Sequence, residues 1–374
     1  MVGQVLRFAR LLYKQPAAQR RTTWAEIKPL LKNRFLPRAS KKQTANPLPP
    51  LLFQMVSGYW VSQAIYVAAK LGIADLLIDG PQSCTTLAAV TRSHEASLFR
   101  VMRALASAGI FSHLEDGRFA LSPLAEGLQS AVPASLSDAV ITLGEIHYQA
   151  CGALLHSVQT GDPAFNKVFG ASLFDYLGQH PDAAGSFNRG MTNLASMLAY
   201  AVVFAYDFTG ISSVVDVGGG EGRFLEKILE FYPGMRGTIF DSAVPVKCTE
   251  RTNLTGTRCS HVWGNFFDCV PTGADAYFLC GVLHDWDDDQ AIKILKNCRQ
   301  AMPKTSKLLL LEMVVPSTDA ADFSKLLDLN MLVMNGGRER TSAEFSALLG
   351  RVGYRMTRII PTAAPQSLIE AVPK

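Results

Sequence analysis

At 374 residues the chain is too long for one average domain and fits two, each large enough to bury a core without covalent staples. Charged residues make up 18% and hydrophobic ones 48%, the net charge is +4, and no apolar run of about twenty residues occurs, so a bilayer-spanning helix is not expected. The seven cysteines form no CxxC pair and no regular spacing, which argues against a disulfide framework or a zinc site and for a reducing, cytoplasmic setting.

Residues 1–42 hold eleven Lys and Arg against the single acid Glu26, so the rest of the chain carries −6. This defines a basic N-terminal extension over residues 1–45, in which Val5, Leu6, Phe8, Leu12 and Tyr13 can share one side of a short helix. It lacks the apolar centre of a secretory signal. A solvated extension is the plain reading, with organelle targeting, an anionic membrane or nucleic acid as the others.

Residues 46–205 read as a mostly helical, winged-helix-like dimerisation domain with linker helices. The stretch from Leu51 to Leu71 reads as one long apolar helix stopped by Gly72, of the kind that buries against another subunit. Two further helices and a short hairpin, from Ser83 to Ser122, complete a winged-helix pattern. The second of these helices offers only Arg92, Arg100 and Arg103 against Glu95, too few for nucleic-acid binding, so a dimerisation role is preferred.

From residue 206 to 374 short apolar strands alternate with amphipathic helices, the pattern of a parallel, Rossmann-like α/β sheet. Strands are expected near 213–217, 237–241, 259–263, 275–280, 307–313, 354–360 and 367–372, seven in all.

The first strand runs into Asp216-Val217-Gly218-Gly219-Gly220-Glu221-Gly222, a turn whose glycines let backbone approach a ligand. Such a loop alone also suits a dinucleotide. Here the preceding Asp216 and the DxGxGxG run suit a ligand with a charged amino-acid portion, which makes Asp216, Gly218 and Gly220 candidate contacts. Asp241 ends the second strand 25 residues later, placed to accept from both hydroxyls of a ribose or else simply solvated. After the third strand, Asn265 and Phe266 offer an amide and an aromatic face to an adenine.

The fourth strand leads into Leu283-His284-Asp285-Trp286, setting His284 at the carboxyl edge of the sheet, where open α/β folds bind ligands. With an ordinary pKa near 6.5 such a histidine is largely neutral at pH 7 and can take a proton from a phenol. The alternative is a capping histidine before the acidic helix start. Glu312, at the end of the fifth strand, and Glu339 could orient the imidazole, or could instead pair with Arg338 or Arg340.

These segments, DVGGGEG, LHDWDDD and GGRERT, in this order and spacing, resemble the small-molecule O-methyltransferase family, which includes plant caffeate and isoflavone enzymes, animal hydroxyindole O-methyltransferase and bacterial polyketide O-methyltransferases. The resemblance spans about residues 50–374. It implies a class I methyltransferase domain behind a dimerisation domain, S-adenosylmethionine as cofactor, no metal, and a homodimer. It further implies His284 as catalytic base flanked by Glu312 and Glu339, with the cofactor on Gly218, Asp241, Asn265 and Phe266. Two positions depart from the family: Asn265 stands where an aspartate is common, and Cys280 stands near the cofactor where plant members often carry a lysine. The missing proline before GGRERT is closer to the bacterial members.

The expected acceptor is a small aromatic hydroxyl compound. Phe174, Phe187, Met191, Met331 and Met334 could form an apolar slot for it or could equally be core. The rival readings are C- or N-methylation, a decarboxylase or hydroxylase on the same scaffold, and a non-enzymatic winged-helix regulator.

Overall fold

The computed structural model describes residues 48–132, 135–242 and 258–374; the basic arm lies outside the described residues. The chain divides into two compact units, with the boundary between Ile146 and His147. The sequence reading drew that boundary at 205/206. Helix Pro181–Ala205 instead packs on helix Arg223–Phe231 and shares its core through Ala199 and Val202, so it belongs with the sheet.

In the first unit the expected apolar helix is two helices, Leu48–Val56 and Tyr59–Lys70. They part at Ser57-Gly58, where the Ser57 hydroxyl donates to the carbonyls of Phe53 and Gln54, satisfying the first helix's end. Gly72 ends the second helix at φ 64°, as expected. Helices Cys84–Thr91 and Glu95–Ser107 and the hairpin of β1 (Phe111–His113) with β2 (Phe119–Leu121) form the winged-helix pattern around Leu87, Leu98, Met102 and Phe119.

The second unit is built on the seven expected strands: β3 (Ser213–Val217), β4 (Arg236–Asp241), β5 (Cys259–Trp263), β6 (Ala276–Cys280), β7 (Lys307–Glu312), β10 (Tyr354–Pro361) and β11 (Ser367–Pro373), with two short strands, β8 (Val314–Val315) and β9 (Arg340–Thr341), paired apart. Their order is β10-β11-β7-β6-β3-β4-β5, with β3 to β7 parallel and β11 antiparallel to both neighbours. Helices cover both faces, and successive strand residues divide between them. Val215, Tyr277, Leu308 and Leu310 meet helices Asp288–Ala301 and Ser342–Arg351, while Val214, Phe278, Leu309 and Leu311 meet helices Pro181–Ala205 and Arg223–Phe231. Strand order reverses between β3 and β6, and there the carboxyl ends of the strands open the crevice typical of such sheets. Among the described residues no helix is long and apolar enough to cross a membrane.

Candidate active site

The glycine loop is shaped by space as much as by dihedral angle. Gly218 has φ 76°, and a Cβ there would sit 2.7 Å from Val282; Gly222 has φ 83° and its Cβ would overlap Ile239. A side chain at either position would force the loop or the Val282 and Ile239 side chains to shift. The Gly220 N–H donates to the Asp241 carboxylate at 2.6 Å, and the Ser242 N–H donates to its other oxygen at 2.6 Å, so Asp241 ties the first loop to the second strand end. Oδ2 keeps a lone pair for a ligand hydroxyl, and Oδ1, which also accepts from the Ser242 hydroxyl at 3.3 Å, can offer one when that hydroxyl turns away. Burial raises the Asp241 carboxyl, and the N–H groups of Gly220 and Ser242 work against that rise.

Asp216 is wholly buried, and neither carboxylate oxygen has a hydrogen-bond partner among the described residues. Burial, reinforced by Asp241, pushes it up to about 7. Cys280 ends β6, half-buried, its thiol held well above the usual range by burial and then by Asp216 and Glu312, which keeps it neutral. Asn265 is exposed and its Oδ1 accepts from the Phe267 N–H at 2.9 Å, leaving the amide NH₂ outward. The Phe266 ring packs against Phe267 and Trp286.

His284 sits in the single helical turn Leu283–Asp285 after β6. It does not cap the following helix, since Asp287 does so by accepting from the Gln290 N–H at 2.8 Å. The ring Nδ1 lies 2.8 Å from Glu312 Oε2, while Glu312 Oε1 accepts from the N–H groups of Val282 and Leu283 at 3.1 and 2.8 Å. One buried carboxylate thus fixes both the imidazole and the loop that carries it. Glu339 Oε1 stands 3.7 Å from the same nitrogen. Nε2 lies 3.6 Å from Asp285, whose carboxylate accepts from Asn335 Nδ2 at 2.7 Å.

The segment Gly336 to Thr341 explains its own spelling. A Cβ on Gly337 would overlap the His284 carbonyl, and the Arg338 N–H donates to that carbonyl at 2.8 Å. Arg340 is 1% exposed and gives its guanidinium to the carbonyls of Leu283, Trp286 and Arg338 and to Asp288. Thr341 forms a capping box with Glu344. Arg338 pairs with Glu344 and Asp288, so neither arginine is an ion-pair partner of Glu312 or Glu339, as the alternative reading had it.

Electrostatically the cluster departs from the neutral histidine expected. Burial works against an imidazolium at His284, but Glu312, then Asp285 and Glu339, outweigh it and hold the ring up at about 10.

The apolar candidates separate. Met331 and Met334 are buried on helix Phe323–Met334, Phe187 is half-buried, and Met191 and Phe174 are 40% and 46% exposed. Of these, Phe174 stacks toward the site, 6.3 Å from Trp286. Trp286, Asn335 and the Arg340 clamp are site features that the sequence reading did not assign, although all lie within or beside the motifs it used. A second polar pair, His147 with Asn330 at 2.9 Å, also went unremarked; burial lowers the His147 pKa.

The family model for the O-methyltransferase domain matches residues 152–355, and that for the O-methyltransferase dimerisation domain matches residues 53–130. The chain is 45% identical to phenazine O-methyltransferase PhzM of Lysobacter antibioticus, over 88% of this chain and 97% of that one. It is 33% identical to a phenazine-1-carboxylate N-methyltransferase of Pseudomonas aeruginosa, over 86% and 96%. The crystal structure of CalO1, a methyltransferase of calicheamicin biosynthesis in its SAH-bound form, superposes with a TM-score of 0.77 at 32% identity, over 87% of this chain and 98% of that one.

Proposed function

This chain belongs to the S-adenosylmethionine-dependent O-methyltransferase family, and from that premise we propose that it methylates a hydroxyl of a small aromatic metabolite, with His284 as general base. The observation that carries this reading is the imidazole held by Glu312 at 2.8 Å on the carboxyl edge of the sheet, one loop away from the glycine cradle.

The residues present fit the cofactor. Asp216 offers two unpartnered oxygens, the glycines leave backbone where a Cβ would intrude, and Asp241 has lone pairs for a ribose. Asp216, Gly218, Gly220, Asp241, Asn265 and Phe266 would hold it, with the neutral Cys280 thiol alongside. When bound, it supplies an electrophilic methyl on a sulfonium. The chain's own work is to align the acceptor oxygen for in-line attack and to take its proton on His284 Nε2. A conjugate acid held near 10 matches a phenol of pKa about 10, so that transfer is close to balanced. Phe174 and Trp286 would flank the ring, with Phe187, Met191, Met331 and Met334 as the remaining wall. We also infer a homodimer through the first unit, because Leu52, Phe53, Val56 and Trp60 are 57–66% exposed on neighbouring helices. The free cysteines suit a cytoplasmic setting.

The test is S-adenosylhomocysteine release with paired phenol and aniline acceptors of one ring system. Phenols should turn over and anilines should not; the reverse would favour the N-methylating reading that the Pseudomonas relative's name raises. Followed against pH, kcat/KM is expected to climb from neutral toward pH 10, because a raised histidine pKa withholds the base form at lower pH. Separately, Asp241→Ala removes an acceptor for two hydroxyls and should weaken cofactor binding by roughly 10–100-fold in calorimetry.

A further inference from the structure

Two carboxyl groups flank one ring nitrogen. His284 Nδ1 carries a single proton, and at 2.8 Å it goes to Glu312, whose other oxygen already receives two backbone N–H groups. Glu339 is differently placed. Its side chain has no exposed surface, and neither oxygen has a hydrogen-bond partner among the described residues. The groups that face it are His284, Glu312 and Asp285, together with Asp328, whose carboxylate accepts the Glu339 backbone N–H at 2.8 Å. The nearby guanidiniums of Arg338 and Arg340 are engaged by Glu344 and Asp288. An ionised carboxylate buried without a donor is far costlier than the neutral acid in the same place.

We infer that Glu339 is a neutral carboxylic acid near pH 7, a positioning residue that leaves His284 Nδ1 facing the charge of Glu312 alone, with Asp285 on the Nε2 side of the ring. The inference rests on the reading of His284 as base. Burial raises the Glu339 carboxyl, His284 pulls it back, and Glu312, Asp328 and Asp285 push it up again, to about 8. The consequence is chemical. A second charge beside Nδ1 would hold the imidazolium still more firmly, so a neutral Glu339 eases loss of the Nε2 proton between turnovers, with Glu312 and Asp285 setting the remaining pull. In the step itself the acceptor O–H breaks, its proton and the Nε2 lone pair form the new N–H bond, and Glu339 keeps its own proton throughout.

Infrared spectroscopy of the full-length protein tests the protonation state, and pH–rate profiles test its role. Wild type near pH 7 should show the carbonyl stretch of a protonated carboxylic acid that shifts in D₂O and is missing from Glu339→Gln. In the same variant, whatever happens to the maximal rate, the pH dependence of kcat/KM below pH 8, where wild-type Glu339 is neutral, should run parallel to that of wild type, whereas Glu312→Gln should lower the acid-limb midpoint by about 1–3 pH units. Absence of that band from wild type, with Glu339→Gln lowering the midpoint as Glu312→Gln does, would overturn the inference. Should Glu339→Gln fail to fold, the spectrum of Asp216→Asn, which removes the other buried carboxyl raised to about 7, decides it: a band titrating away above pH 7 supports the inference and a featureless spectrum overturns it. Full activity in His284→Ala would instead sink the base assignment, while the infrared band would still report on Glu339.

Discussion

Arg340→Leu is expected to lower the free energy of unfolding by about 3–5 kcal/mol, measured by urea denaturation. The arginine is 1% exposed and donates to three carbonyls, those of Leu283, Trp286 and Arg338. Each acceptor left buried and unpaired costs about 1–3 kcal/mol. Its ion pair with Asp288 contributes less, because that carboxylate is 45% exposed and water replaces the guanidinium. Arg340→Lys should recover only part of the loss, since a point charge cannot serve three carbonyls and a carboxylate from one planar fork. Two of these carbonyls, those of Leu283 and Trp286, bracket the turn that carries His284, so kcat should fall in both variants at temperatures where they remain folded.

Much of the second unit was legible because the central strands β3, β6 and β7 are buried on both faces and appear as nearly uninterrupted apolar runs, whereas the edge strands β5 and β10 are largely exposed; all seven strands of the main sheet fall within two residues of their expected ends. The cofactor loop and His284 were legible for a related reason, since each lies at the carboxyl end of such a strand. What escaped the sequence depends on tertiary contacts. Arg340 reads as an ordinary charge until the Leu283 and Trp286 carbonyls are seen around it. Met331 and Met334 satisfy helical spacing equally well as core or as slot, and they are buried. The break at Ser57-Gly58 hides in a run that is apolar on both sides. The elevated basicity of His284 is only partly local: Asp285 adjoins it in sequence, but Glu312, the largest cause of the rise, comes from a distant strand.

His284→Ala should reduce kcat by about 10²–10⁴-fold with a phenolic acceptor, the usual worth of a positioned general base. Glu312 is expected to keep the loop in register without the imidazole, because the N–H groups of Val282 and Leu283 still donate to it. Cofactor affinity should therefore change little, which calorimetry on the folded variant would check. Glu312→Gln is the more disruptive change at the same site, since it weakens the ring's anchor and withdraws the charge that sustains the imidazolium.

General-base action by His284 predicts more than a loss of rate, and the most direct measurement is the ratio of wild-type to His284→Ala kcat over phenols of graded acidity at one pH. The ratio should be largest for phenols that are fully protonated and should shrink toward unity for those already ionised, which have no proton to give. A ratio that stays constant across the series would contradict the account and leave His284 as a structural part of the site.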